Sequence, residues 1–357
     1  MPNDSNGLRV SVTNGLGAYA EAWDSLVEGL PIPSPFLRSW WLDTAAGAHP
    51  CMVLVLQRDR VVGGLALESD RHLGVERLRL LGAGGLRPDH LDAVAATGMQ
   101  APVAAVLGDW LTRPGHRLLD LDGVISNSLV ATALPESTRR DRTAIAPWVA
   151  LCGGDLEPRS PALRRVVHRT EARLLREAGS CIVERVGDVE LALRVLHRLH
   201  AQRWGNASTF LGDFGRFATV CRAAAARGEL AMDVLRAGDE TVAVMASFEV
   251  AGRISCYQSG RIPERRWRTA GTVLLARVLD DAGRRGLREA DLLRGDEGYK
   301  ALFADGQREL WRLRCAVGWR ARVALPVDLA AESGRHLAGK TRRWLRSKGK
   351  RSRVAAQ

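Results

Sequence analysis

The sequence predicts a mixed α/β protein of two successive units, and three observations carry that reading. A chain of 357 residues exceeds what one ordinary hydrophobic core accommodates. Strand-sized apolar runs alternate with stretches of helical periodicity along both halves. The segment CGGDLEPRSP, beginning at Cys152, breaks the pattern with Gly, Pro and charge and divides the chain into parts of similar length. The expected division is 1–152, 158–325 and a C-terminal segment 326–357.

The first unit opens with a short polar lead and a helix around Ala18 to Gly29, followed by the break PIPSP and a second helix near Leu37 to Ala46. Two strands, CMVLVLQ and VVGGLALE, are joined through Arg58 to Arg60, a connection short enough for a hairpin. A strand over Glu76 to Leu81, helices over Ala101 to Leu111 and Ile125 to Leu134, and strands over Arg117 to Leu121 and Ala144 to Leu151 complete it.

The second unit begins with Ser160 as N-cap and Pro161 at the first helical position, where a missing N–H costs nothing. Leu163, Val166, Val167, Leu174 and Leu175 form the apolar stripe of that helix, Gly179 its C-cap, and Arg164, Arg165, Arg169, Arg173 and Arg176 its basic face. Next come the strand CIVERV and helices over Val189 to Trp204 and Phe214 to Arg227. Three strands follow, ELAMDVLRA, ETVAVMASFEV and GRISCYQSGR, with tight turns at Gly238 and Gly252. A helix over Gly271 to Gly286, the strand READLLRG, a short helix GYKALFAD and the strand ELWRLRCAV end the unit.

Composition narrows the function. With 46% hydrophobic and 26% charged residues the balance is globular, which argues against widespread disorder. No apolar run approaches the roughly 18 to 20 residues a membrane span needs. The N-terminus MPNDSNGLRV has polar residues where a signal peptide needs its apolar core, so the expected compartment is the cytoplasm. Six cysteines, none in a CxxC pair, read as free thiols. His197 and His200 share a helix face but have no third ligand nearby, so they read as packing residues, and no metal is expected. The formal charge of +12 is concentrated: nine Lys or Arg residues lie between Arg335 and Arg353 with no acid after Glu332, which leaves +3 for the rest. A solvated terminus is the plain reading of such a tail; the sharper one is recruitment to an anionic membrane surface or to tRNA.

Four features of the second unit stand in a definite order: the basic helix from Arg164 to Arg176, LHRLHAQRW ending at Trp204, YQSGRIPERRWRTAGTVLL, and DLLRGDEGYK from Asp291 to Lys300. In these the second unit resembles the CelD-type acetyltransferases, GNAT-superfamily relatives of the Fem peptidyltransferases found around exopolysaccharide and envelope biosynthesis. The resemblance implies two GNAT-like domains, each a mixed, largely antiparallel sheet flanked by helices, the first of them degenerate. It also implies that acetyl-CoA or another acyl-CoA lies between two splayed strands with its pyrophosphate on a helix N-terminus, which offers unpaired N–H donors and a positive dipole end. Tyr257, Ser259 and Gly260 would belong to the donor strand, and Arg268, Thr269, Ala270, Gly271 and Thr272 to the phosphate end, with Arg265 and Arg266 beside it. RRWRTAG departs from the superfamily's Q/R-x-x-G-x-G/A loop, supplying the Arg and one glycine.

In DLLRGDEGYK, ionisable groups crowd a strand's C-terminal end. Asp291 or Asp296 could accept the proton an amine nucleophile loses, Tyr299 could donate to the departing thiolate, and Lys300 could orient an anionic acceptor or stabilise the oxyanion. The plainer alternative pairs Asp291 with Arg294 and Asp296 with Lys300 in a structural network. Arg203, Trp204 and Arg294 are the candidate acceptor wall. The expected function is acyl transfer to an amine or hydroxyl of a sugar or small molecule. The competing readings are a Fem-like transferase fed by aminoacyl-tRNA and a non-catalytic scaffold of a biosynthetic complex.

Overall fold

The computed structural model describes residues 7–153, 160–205 and 208–333, so the basic tail expected to bind anions lies outside the described residues. The N-terminal half runs β1 (Leu8–Thr13), α1 (Ala20–Glu28), α2 (Ser39–Ala45), then the meander β2 (Pro50–Gln57), β3 (Arg60–His72) and β4 (Val75–Leu80). The short β5 (Val94–Ala95), α3 (Gln100–Thr112), β6 (Arg117–Ile125), α4 (Leu129–Ala133) and β7 (Arg139–Ala150) follow. After α5 (Pro161–Ala178) the C-terminal half repeats that order. It comprises β8 (Cys181–Arg185), α6 (Val189–Trp204), α7 (Thr209–Gly212), α8 (Phe214–Ala226), β9 (Leu230–Ala237), β10 (Glu240–Val250), β11 (Arg253–Arg261), α9 (Ala270–Arg284), β12 (Glu289–Asp291) and β13 (Gly306–Val317). A helix over 319–333 ends the described chain.

In both halves a strand, helices and a three-stranded meander lead through a crossover helix to a parallel strand: β4 pairs β6, and β11 pairs β12, in parallel. This is the mixed, helix-flanked sheet expected from the sequence. The two halves form one sheet, in the order β1-β2-β3-β4-β6-β13-β7-β12-β11-β10-β9-β8. At its centre the last strands are interleaved. β13 lies antiparallel between β6 and β7, and β7 in turn pairs β12.

Local chemistry explains most element ends. Arg58 and Asp59 both take positive φ, 46° and 66°, as a two-residue hairpin turn with the right strand twist demands. Ser160 Oγ accepts from the Leu163 N–H at 3.2 Å, and Gly179 closes α5 at φ 77°. Four expectations are corrected. The helix expected over 125–134 is divided, because β6 continues to Ile125 and α4 starts at Leu129, where Ser128 and Asp92 cap its N–H groups. The strand READLLRG keeps only Glu289–Asp291, since Leu293 turns the chain at φ 57°. GYKALFAD is a single 3-10 turn, Lys300–Leu302. The lead, read as polar, contains the edge strand β1.

The core is continuous between the halves. Phe36 and Trp41 meet Phe248 and Tyr257 there, with Phe36 and Tyr257 centroids 5.5 Å apart. Burying each such ring contributes roughly 4 to 6 kcal/mol of gross transfer free energy, which ties the N-terminal helices to β10 and β11. All six cysteines are free. His197 packs on Phe214, and His200 packs on Phe210 and bonds Ser208 Oγ at 2.8 Å. Among the described residues no metal-binding cluster and no helix long and apolar enough to cross a membrane is present.

Candidate active site

β11 and β12 keep register only over Arg253↔Glu289, Ile254↔Ala290 and Ser255↔Asp291, after which they part. Leu293 turns the chain out of β12, and β11 departs in its own way. Ala246 of β10 faces Gln258 and Ser247 faces Cys256, so Tyr257 is an extra residue, a β-bulge that bends the strand away. The bulge also cancels the simple alternation of faces, and Tyr257, Gln258 and Ser259 all line the same cavity of about 340 Å³ in the gap. Gly260 has a packing reason: a Cβ there would stand 3.1 Å from Leu199 Cβ, so any side chain would push α6 a few tenths of an ångström off β11. The Tyr257 hydroxyl donates to the Leu86 carbonyl, and its ring stacks on Phe217 at 5.7 Å.

At one end of the gap stands the N-terminus of α9. The first-turn N–H groups of Ala270 and Gly271 have no partner among the described residues, as the geometry of a helix start dictates. A side chain at Gly271 would meet nothing nearer than Arg261 Cδ at 3.9 Å. Thr269 is braced from α5 by Thr170 Oγ1 at 2.9 Å, and Arg173 donates to the Arg266 carbonyl at 2.6 Å. Arg261 lies near Arg203 and Arg268; burial first, then those two cations, lower its pKa. Mutual repulsion of this kind, with Arg265 and Arg268 exposed beside it, leaves positive potential at the helix end. Thr272 sits half-exposed in the same first turn.

At the other end lies the turn after β12. Asp291, 0% exposed, accepts from Leu293 N–H at 2.8 Å and contacts His90 Nε2 at 2.6 Å and Arg253 Nη2 at 3.0 Å. Burial pushes its pKa up, but His90, Arg253 and that N–H outweigh burial and hold it far below the usual carboxylate range. The network expected from sequence is paired differently. Arg294 binds Asp89 of the N-terminal half, through both guanidinium and backbone N–H, and the Pro88 carbonyl at 3.0 Å. Lys300 Nζ reaches Glu297 at 3.0 Å and the carbonyls of Arg294 and Leu293 at 2.8 and 3.2 Å, holding the turn closed. Asp296 is exposed and does not line the cavity. Tyr299 does line it, with 42% of its surface exposed; desolvation and then Glu297 raise its phenol to about 12, so at neutral pH it donates. Cys256, raised to about 12 mainly by burial, is a poor nucleophile.

Arg203 stacks over its neighbour Trp204 at 4.7 Å, and both are exposed at the end of α6, outside the cavity wall. The structure therefore brings Tyr257, Ser259, Arg294, Tyr299 and Lys300 to one cavity; Asp291, Asp296, Arg203 and Trp204 do not line it, nor do Gly260 and the residues Arg268, Thr269, Ala270, Gly271 and Thr272 at the start of α9. Sequence reasoning missed the contribution of the N-terminal half. Leu86, Arg87 and Asp89, from the loop after β4, form one wall, and Glu297 is a second carboxylate facing the cavity, opposite an Asp89 already held by Arg294. The run GAGGLRPDHLD signals a loop, but nothing in it signals which strand it will meet.

Residues 162–301 match the model of the acetyltransferase (GNAT) domain family. No curated protein matches the chain. Among solved structures the fold is similar to FemX, at 10% identity and a TM-score of 0.61 over 82% of this chain and 95% of that one. It is similar to L-PGS from Bacillus licheniformis, at 12% identity and a TM-score of 0.55 over 86% and 95%. A conserved protein of unknown function from Bacteroides thetaiotaomicron matches at 10% identity and 0.55 over 87% and 100%. The fold is thus that of a GNAT-type acyltransferase, with FemX among its structural neighbours.

Proposed function

We propose that the protein transfers an acyl group, in the first instance acetyl, from acyl-CoA to an amine or hydroxyl of a sugar or small-molecule acceptor, as CelD-type enzymes of exopolysaccharide and envelope biosynthesis do, acting in the cytoplasm. The observation that carries the reading is the parting of β11 from β12 at the Tyr257 bulge, with the unpaired start of α9 at its end. The freed edge of β11 offers backbone groups to a pantetheine amide. Ala270 and Gly271 N–H groups, with Arg261 and Arg268, suit a pyrophosphate. In this reading 158–325 is the transferase domain and 1–152 a degenerate repeat that supplies one cavity wall.

At the reacting end, Tyr299 donates its proton to the departing thiolate and Glu297 takes the proton the nucleophile loses, directly or through water. Asp291 anchors the strand end on which they are mounted, and Lys300 fixes their turn. Calorimetric titration with acetyl-CoA, octanoyl-CoA and an aminoacyl-tRNA tests the donor. Binding of either thioester supports the reading; binding of the tRNA alone replaces it. The second reading, an aminoacyl-tRNA donor, is favoured by the exposed Arg165, Arg169 and Arg176 on α5 and by the fold likeness to FemX.

A further inference from the structure

The N-terminal half has a cleft of its own. β4 and β6 pair in parallel over only three positions, from Glu76↔Arg117 to Leu78↔Leu119, just as β11 and β12 do, and α3 crosses between them as α9 does. The chain leaves β4 after Leu80, and Leu91 later bridges to Val124 of β6, so the loop fills part of the gap. The rest is a cavity of about 810 Å³, within the range of small-molecule sites and more than twice the volume of the donor cavity.

Its chemistry is the opposite of the donor cleft's. Leu30, Ile32, Ala104, Ile125 and Leu129 give it a mainly apolar wall, and no lysine or arginine lines it. The first turn of α3 is Gln100, Ala101, Pro102, without the arginines that surround the start of α9. A pyrophosphate or carboxylate would be desolvated there with no cation to meet it, and would face the Asp92 carboxylate instead. The polar part of the lining is His90, Asp92, Gln100, Asn127, Ser128 and Thr132. His90 is 4% exposed; its Nε2 lies 2.6 Å from Asp291, and neither ring nitrogen makes a well-formed hydrogen bond. The Asp92 carboxylate is the acceptor in this lining, so a head group that meets it must be a donor.

We propose that this cavity is a second ligand site, for an elongated aliphatic molecule whose head is a hydroxyl or amine that donates to Asp92, and not for an anion. The assignment does not depend on the acyl-transfer reading, because it concerns other residues and a different readout.

The probes are octan-1-ol, octylamine and octanoate, titrated calorimetrically into the full chain. Octanol and octylamine should bind, and octanoate at least tenfold more weakly. Ala104→Trp fills the cavity and should abolish binding of both, with the far-UV circular dichroism unchanged. Ala101→Arg, at an exposed position in the first turn of α3, should narrow or reverse the preference, because it supplies the missing cation. The proposal is overturned if none of the probes binds, if octanoate binds as well as octanol, or if folded Ala104→Trp binds like the wild type. Should Ala104→Trp fail to fold, the selectivity of Ala101→Arg decides: an unchanged preference overturns the proposal.

Discussion

Asp291→Asn separates an anchoring carboxylate from a catalytic one, and the structure sets the size of the effect. The amide keeps an oxygen for the Leu293 N–H but loses the charge that faces His90 at 2.6 Å and Arg253 at 3.0 Å. Breaking a buried ion pair by removing one partner costs about 3 to 5 kcal/mol. Arg253 retains Glu289, 2.6 Å away, and Glu289 is also shared with Arg308 at 2.7 Å, so the lower end applies, about 3 kcal/mol. In a protein of this size that lowers the melting temperature by about 4 °C. The pH dependence has a definite sign. Asp291 is held below its unfolded pKa, so its stabilisation is complete above the ordinary carboxylate value of about 4 and is lost as pH falls toward the folded value. The gap between wild type and variant should be full above about pH 4 and should shrink under stronger acid. Urea unfolding by tryptophan fluorescence, run over that range, measures it. A variant as stable as wild type but without turnover would refute this reasoning and restore Asp291 as the base.

Other substitutions address the two ends of the cleft. Gly271→Val should abolish calorimetric CoA binding with a near-normal melting temperature, since the added side chain enters open space by Arg261 and not the core; unchanged affinity refutes the phosphate assignment. Tyr299→Phe should lower kcat about 10- to 100-fold with little change in donor affinity, because it removes a proton donor and no binding contact; a raised donor Kd at constant kcat would contradict that role. Arg87 lines both the donor cavity and the adjoining arginine-rich cavity that holds Arg312 and Arg314, and its guanidinium has no partner among the described residues. Arg87→Gln should therefore weaken inhibition by inorganic pyrophosphate about tenfold at unchanged stability, and equal inhibition would remove Arg87 from anion binding.

What the sequence made legible was local. The caps of α5, the turns at Gly238 and Gly252 and the run β9-β10-β11 depend on chemistry within a few residues, and they stand where periodicity and turn residues put them. β11 was legible as a strand, but its bulge was not, because an extra residue in YQSG is defined only against the partner strand β10. The partners of Asp291, Arg294 and Lys300 were misassigned for the same reason. Proximity in sequence suggested Arg294 for Asp291, whereas the fold delivers His90 and Arg253 to it, and Asp89 to Arg294.

The interleaved strands give the last prediction. β13 lies between β6 and β7, in register with β6 from Leu310↔Ile125 to Val317↔Arg117 and with β7 from Gly306↔Trp148 to Arg314↔Arg139. Its charges are answered on the N-terminal side, Arg312 by Asp120 at 2.7 Å and Arg314 by Asp141 at 2.6 Å. Arg253 donates to the Pro33 carbonyl at 2.8 Å, and Glu229 accepts from Trp40 Nε1 at 2.6 Å. A fragment ending near residue 153 would leave both strand edges unpaired at the middle of the sheet, with Asp120 stripped of Arg312, Asp141 left with Arg139 alone, and Phe36 and Trp41 uncovered. Open edges and exposed apolar surface of that kind favour association over folding. Residues 1–153 expressed alone should therefore aggregate or lack a cooperative urea transition, while the full chain unfolds in one transition seen alike by fluorescence and circular dichroism. If the fragment unfolds cooperatively as a soluble monomer, the shared sheet is dispensable and the halves are independent domains.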